Sequence, residues 1–165
     1  MPNTYVALAT QTLGTAASSV TFSSISASYT DLIIVFDGTM ASHTRIDITV
    51  GNGTLDTGAN YSNTELLGNG TTASSLRNSS TSSMQGMFDS LGTGTGQINS
   101  ITSFQNYANT TTYKTVLGRS NSASNGVTAY VGLWRSTVAI TTIRITGLAN
   151  FNTGSTFSLY GILAA

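Results

Sequence analysis

The stretch Gly154-Ser155-Thr156-Phe157-Ser158-Leu159-Tyr160-Gly161-Ile162 alternates polar and apolar residues after a turn. Alternation with a period of two is typical of a β-strand that buries one face. Thr4 to Leu13, at the opposite end of the chain, has a similar pattern. Both ends are therefore predicted to lie in sheet, and residues 1–165 are expected to form one closed domain without a tethering tail.

Short strand patterns, separated by Gly, Asn or Ser, recur along the chain. This spacing is typical of antiparallel sandwiches and barrels, and we predict an all-β, jelly-roll-like antiparallel β-sandwich. The predicted strands are Tyr5 to Leu13, Ser19 to Ile25, Leu32 to Thr39, Arg45 to Val50, Tyr61 to Leu67, Met84 to Phe88, Gln97 to Tyr107, Tyr113 to Arg119, Val127 to Trp134, Thr141 to Leu148 and Ser155 to Ile162.

The composition also favours strands and turns over helices. Thr, Ser and Asn make up about two in five residues, Gly contributes 17, and charged residues only 7%. Lys114 is the only lysine and Glu65 the only glutamate, so no segment has the residue mixture of a stable surface helix. The apolar fraction of 39% is high enough for a folded core and separates the chain from disordered polar tracts.

One predicted strand, Leu32-Ile33-Ile34-Val35-Phe36, is apolar on both faces. Exposing one of them would lose several kcal/mol, at about 1.5 to 3 kcal/mol for each buried side chain. Two explanations are open: a central strand covered by the opposing sheet and by a loop or crossover, or a subunit interface. The five residues are therefore candidate interface residues.

The middle of the chain has weaker patterns. Gly68 to Ser83 and Leu91 to Gly96 are rich in small polar residues and glycine, and we predict long surface loops there. Within Gln97 to Tyr107 the apolar residues are three apart, which fits neither a regular strand nor a helix, and predicts a β-bulge.

The charges argue against nucleic acid and membranes as partners. Six basic and six acidic residues cancel, and the basic ones are scattered rather than clustered. The chain lacks cysteine, a signal-peptide pattern at its start, and any run of 18 apolar residues. We therefore expect a protein made soluble, without disulfides or a membrane segment.

No constellation of residues predicts catalysis, a cofactor or a metal site. His43 is the only histidine, and we expect it to be exposed in a loop. The acidic residues are expected to serve turns and local ion pairs rather than a glycosidase pair; they are Asp31, Asp37, Asp47, Asp56, Glu65 and Asp89.

Five aromatic residues leave two interpretations open. Packing in the core and at the rim of a sandwich is favoured, and a sugar-stacking platform is the alternative. The residues concerned are Tyr61, Tyr107, Tyr113, Tyr130 and Trp134.

Several segments of the chain resemble small virion structural proteins of tailed bacteriophages, cyanophage-like ones especially. The resemblance covers both ends and the first half of the chain, and its motifs are packing motifs that supply no catalytic residue. The segments are Thr4 to Ala9, Val20 to Ile25, Tyr29 to Val35, Asn60 to Ser62, Gly68 to Gly70 and Gly154 to Ile162.

The resemblance implies a virion component assembled in the cytoplasm of a bacterial host. We expect a capsid decoration, or cement, protein on the outer head surface, with the major capsid protein as partner. A homotrimer is also expected, in which one face of Leu32 to Phe36 or an adjacent edge strand meets a neighbour. The alternative is a tail-fibre or baseplate-tip protein that recognises a host glycan.

Overall fold

The computed structural model describes residues 4–89 and 94–163, and these residues form thirteen strands and no helix. All strand pairings are antiparallel, in two sheets, which confirms the predicted all-β sandwich; its jelly-roll type stays a prediction. The strands are β1 (Tyr5–Thr12), β2 (Ala17–Phe22), β3 (Asp31–Gly38), β4 (Ile46–Asn52), β5 (Thr54–Leu55), β6 (Tyr61–Gly68), β7 (Ala73–Thr81), β8 (Met84–Phe88), β9 (Ile98–Gln105), β10 (Lys114–Ser122), β11 (Gly126–Trp134), β12 (Thr142–Phe151) and β13 (Thr156–Ile162).

The two sheets differ in size. The eight-stranded sheet has the order β1-β13-β3-β9-β10-β11-β6-β7, and the five-stranded sheet has the order β2-β12-β4-β5, with β8 also paired to β4. β1 pairs directly with β13, so the first and last strands close one edge of the large sheet together. This pairing confirms that both ends of the described chain lie in sheet.

The core lies between the two sheets and is dominated by apolar side chains of β3, β4, β12 and β13. Three buried rings meet at its centre. Phe36 stacks on Phe157 with ring centroids 4.6 Å apart, and both rings contact Phe151 edge-on. Contacts of this kind add to the area-based stabilisation by about 0.5 to 1.5 kcal/mol per pair.

The strand that is apolar on both faces lies in the interior of the large sheet. β3 pairs with β13 on one side and with β9 on the other. Leu32, Ile34 and Phe36 point into the core and are fully buried. Ile33 and Val35 point to the opposite, outer surface of the sheet, where they are half-buried.

The prediction of a long loop over Gly68 to Ser83 is wrong. β7 occupies most of that segment and pairs with β6 along its length, as an edge strand of the large sheet. The connecting turn is closed by the side chain of Asn69, whose Oδ1 accepts hydrogen bonds from the backbone of Thr71 and Thr72. An edge strand is held by backbone pairing with its neighbour and needs no apolar pattern. The polar sequence of β7 therefore resembles that of a loop.

The prediction of a β-bulge near residue 101 is also wrong. β9 pairs with β3 and with β10 without a shift in register. Ile98 and Phe104 point inward, whereas Ile101 lies an odd number of residues from each and points outward. The irregular spacing arises from an apolar residue on the outer surface. Of the second predicted loop, Leu91 to Gly96, residues 91–93 lie outside the described residues.

Candidate functional site

The histidine is buried, which corrects the expectation of an exposed loop residue. The side chain of His43 is 4% exposed and its ring meets Phe88 edge-on at 5.5 Å. Its Nε2 lies 2.8 Å from the carbonyl oxygen of Gly96, and its Nδ1 lies 2.6 Å from Nδ2 of Asn125. In the neutral tautomer that fits both partners, Nε2 donates and Nδ1 accepts. His43 therefore ties together the loop before β9 and the turn between β10 and β11.

Two of the carboxylates have the local structural roles that we predicted. Asp47 accepts a hydrogen bond from Nε of Arg45 at 2.7 Å, and this bond raises the pKa of the arginine. Asp56 accepts bonds from Nε1 of Trp134 at 2.7 Å and from Nδ2 of Asn60 at 2.9 Å. Burial raises the pKa of Asp56, but these bonds outweigh it and hold the pKa below its usual value.

Glu65 departs from that pattern. It points from β6 into the space between the sheets, is 0% exposed, and neither carboxyl oxygen has a hydrogen-bond partner. A Cβ atom at Gly86 of β8 would overlap its carboxyl group, so only glycine fits there. Burial raises the pKa of Glu65 to about 7; nearby Asp89 and Asp47 also raise it, and Arg45 lowers it. A substrate has no access to this group.

The neighbourhood of Glu65 is polar although it faces the core. Nδ2 of Asn63 and Oγ of Ser120 are also buried without a partner. The phenol of Tyr130 lies across Gly118, where a Cβ atom would overlap the ring, and its oxygen bonds Oγ1 of Thr102 at 2.6 Å. The inner surface of β10, β11 and β6 is thus more polar than a typical sandwich core.

The outer surface of the same strands exposes a set of apolar residues. In β11 the residues Val127, Ala129, Val131 and Leu133 point outward, while the alternate residues Thr128 to Trp134 point to the core. Leu66 of β6 pairs with Ala129, so the outward apolar row continues onto the next strand. The side chain of Leu66 is 61% exposed and that of Val127 60%.

The apolar surface extends across five adjacent strands of the large sheet, β3, β9, β10, β11 and β6. Leu117 of β10 pairs with Val131, and Val35 of β3 pairs with Ile101 of β9. A shallow groove of about 620 Å³ runs over it beside Ile101. We call this surface the apolar face, and it consists of Ile33, Val35, Leu66, Ile101, Leu117, Val127, Ala129, Val131 and Leu133.

An exposed patch that draws apolar residues from five strands is a candidate for interaction. Single exposed apolar residues are common on soluble proteins, but patches of a few hundred Å² mark sites of interaction. The apolar face is the candidate functional site of the described chain. The sequence carries a signal for it, because β11 has apolar or aromatic residues at both phases of the alternation.

The predicted interface residues divide between the two surfaces of β3. Leu32, Ile34 and Phe36 are core residues that a partner cannot reach in this fold. Ile33 and Val35 belong to the apolar face, and their part in a subunit interface stays a prediction.

The five aromatic candidates do not form a surface platform. Tyr61, Tyr107, Tyr130 and Trp134 are buried in the core, which confirms the packing interpretation for these four. Tyr113 is 55% exposed, in the connection between β9 and β10.

A second, smaller feature lies at one end of the sandwich. The β6–β7 turn, Gly68 to Gly70, and the β10–β11 turn, Asn121 to Val127, enclose a polar depression of about 440 Å³. Its lining consists of Gly, Asn, Ser and Ala apart from Val127, so it offers hydrogen-bonding side chains beside small apolar groups.

Comparison of the chain with protein-family models and with curated proteins gave no match. Among the described residues, no group of three metal-binding side chains is found, and no helix is long and apolar enough to cross a membrane. The function is therefore inferred from the geometry of the two surface features.

Proposed function

We propose that this protein is a bacteriophage capsid decoration protein that binds the outer head surface and stabilises it without catalysis. The apolar face is the observation that carries the proposal. The resemblance of the chain segments to small virion proteins suggests the setting, with the major capsid protein as partner.

A decoration protein acts by linkage. It binds the assembled lattice better than dispersed subunits, so each contact adds to the stability of the shell. Repeated copies on one particle make even modest contacts effective. A wide sheet surface with exposed Leu and Val side chains suits this task, because it loses water on docking and undergoes little rearrangement.

The reactive side chains also favour a structural role. His43, Asp47 and Asp56 use their polar atoms in bonds that hold loops and strands in place. Glu65 is enclosed by β8 and has no route to solvent. These residues contribute to the fold, and the exposed surface carries the interaction.

We further propose a homotrimer on the particle. Ile33 and Val35 lie on the face that docks onto the head, so the trimer is formed through the neighbouring edge of the sheet. β1 is that edge strand, and its outer backbone groups are free to pair with another chain. Light scattering on the purified protein at tens of micromolar tests this, and a trimer is expected. A monomer both in solution and on the particle would contradict it.

Rebinding to heads tests the main proposal. Purified protein added to heads that lack it is expected to bind saturably and to raise their disruption temperature. Leu117→Asp, on the apolar face, should reduce binding at least tenfold, because it places a charge in the docking surface. Thr21→Asp, exposed on β2 of the other sheet, is the matched control and should bind normally. Failure of the wild-type protein to bind heads would contradict the proposal.

The end depression supports a second candidate, a tail-fibre or baseplate-tip protein that recognises a host glycan. Its asparagine and serine side chains match sugar hydroxyl groups, although no aromatic ring lines it. Saturable binding to host-cell polysaccharide without binding to heads would favour this function. Asn121→Ala and Asn69→Ala should then weaken glycan binding, whereas Leu117→Asp should not.

A further inference from the structure

We propose that the apolar face binds a protein partner that presents apolar side chains around a carboxylate, and that Arg119 receives this carboxylate. The inference deepens the proposed function and rests on it, since it states the chemistry of the capsid surface that would be recognised.

Arg119 lies at the centre of the apolar face. It points outward from β10 and pairs with Ile101 of β9 on one side and with Ala129 of β11 on the other. No hydrogen bond or ion pair joins it to any residue that the structure describes. An unpaired guanidinium among aliphatic side chains is well placed to form a bidentate hydrogen bond with a carboxylate, because docking would remove water from both groups.

The other charges on this outer surface indicate a partner different from the chain itself. Arg77 of β7 is likewise without a partner among the described residues. The carboxylates of this surface lie at the two ends of β3, where Oδ1 of Asp31 accepts the backbone N–H of Asn106 at 2.8 Å and Oδ1 of Asp37 accepts Nδ2 of Asn99 at 2.6 Å. In a two-fold contact between copies centred on this face, the guanidinium groups of Arg119 would oppose each other, which is unfavourable.

The size of the surface matches a protein partner. With strands about 4.8 Å apart and about 24 Å long, the eight-stranded sheet presents an outer surface of roughly 800 Å². This is about the area that each partner contributes to a standard protein–protein interface. The apolar face forms its centre and Thr, Ser and Asn side chains its rim, which is the usual arrangement in such interfaces.

Glycans and membranes fit the apolar face less well. Sugar rings stack on aromatic side chains, and the members of the apolar face are aliphatic, with a ring beside them on Tyr160 of β13, which pairs with Ile33. Binding to anionic lipid surfaces uses clustered Lys and Arg with aromatic anchors. The only lysine, Lys114, is buried with its Nζ bonded to backbone carbonyls of Thr112 and Thr137.

Peptide selection tests the inference without depending on heads. A displayed library of random 16-residue peptides is selected on wild-type protein and depleted on Leu117→Asp. The enriched peptides are expected to combine aliphatic residues with Asp or Glu. Their affinity should fall at least tenfold for Arg119→Glu and severalfold for Arg119→Lys, which keeps the charge but not the bidentate geometry. Thr21→Glu on the other sheet should leave the affinity unchanged, and thermal unfolding confirms that each variant folds.

Three results would overturn the inference. The first is that the selected peptides lack acidic residues or bind Arg119→Glu as tightly as wild type. The second is self-association of the protein that Leu117→Asp abolishes. The third is binding to phosphatidylglycerol vesicles that depends on Arg119. The two proposals can fail separately. If wild type and Arg119→Glu bind heads equally, only the role of the arginine is excluded. If the protein binds acidic peptides but does not bind heads, only the decoration function is excluded.

Discussion

The inner and outer surfaces of β10, β11 and β6 differ less in polarity than those of most sandwiches. The inner surface carries the carboxyl group of Glu65 without a partner and the amide of Asn63 with its Nδ2 unpartnered. The outer surface exposes Leu66, Leu117 and Val131 to solvent. Burial of apolar area alone favours the reverse arrangement. Departures of this kind from local rules concentrate at functional sites, so the contrast supports the proposal that the outer surface serves binding.

The outer surface of the smaller sheet shows that this is not a general property of the molecule. There Arg144 of β12 lies between Thr21 and Thr49, and Thr146 lies between Ser19 and Asp47. Both sheets carry an arginine on the outside, but only Arg119 is surrounded by aliphatic residues. A surface with such neighbours supports docking, and one with hydroxyl neighbours supports solubility.

The largest expected effect is on the inner surface. Because the pKa of Glu65 is raised to about 7 in the folded protein from its ordinary value of 4.5, the folded state holds this proton more tightly than the unfolded state. The stability that the protonated form provides is present below about pH 4.5 and is lost as pH rises to about 7. Glu65→Gln should remove this dependence. The free energy of unfolding of this variant minus that of wild type should be about 3 kcal/mol larger at pH 8 than at pH 4.

Urea denaturation of both proteins at the two pH values measures this difference, and other titrating groups cancel in the comparison. Parallel pH profiles for the variant and the wild type would show that the inner surface tolerates the ionised carboxylate. The contrast between the two surfaces would then lose its energetic basis.

Gly118→Ala should destabilise the fold by about 2 kcal/mol, the usual cost of overpacking. The added Cβ atom would overlap the ring of Tyr130, which its bond to Thr102 holds in place. Gly14→Ala is the matched control: it adds the same methyl group in open space and should change the stability by less than about 0.5 kcal/mol. Equal stability of the two variants would mean that the inner packing is looser than described.

The smallest effect is expected on the outer surface. Leu117→Asn should change the free energy of unfolding by no more than about 0.5 kcal/mol, because the side chain is largely exposed. Val116→Asn, one residue away on the inner surface, should cost several times more. Urea denaturation gives both values. A large loss for Leu117→Asn would assign the apolar face to folding rather than to binding.

Much of the fold could be predicted from local patterns. The alternation in Ser155 to Ile162 corresponds to β13, and the double-sided run Leu32 to Phe36 lies in a central strand. The prediction of local ion pairs for the carboxylates, made without a named pair, agrees with the bond between Arg45 and Asp47. The sequence did not predict β7, because this polar edge strand is ordered by its pairing with β6. No pattern in the sequence of β7 itself indicates that pairing.

The candidate site was only partly predictable. Ile33 and Val35 were named, but their neighbours on β9, β10, β11 and β6 were not. Those residues come from distant parts of the chain and become one surface only through register, as when Leu66 meets Ala129. The burial of His43 likewise depends on Gly96 and Asn125, which are remote in sequence.

The sequence by itself determined that the chain is built from strands and that its two ends lie in sheet, because a period of two and a Thr- and Gly-rich composition act locally. Only the tertiary structure decided which side of β11 is buried. Both phases of that strand have apolar or aromatic residues, so the choice fell to contacts with other strands. Tyr130 reaches Thr102 across Gly118, and β8 with Gly86 covers Glu65, which leaves Val127, Ala129, Val131 and Leu133 outside. Which surface is covered depends on the shape of the opposing sheet, and that shape exists only once both sheets have formed.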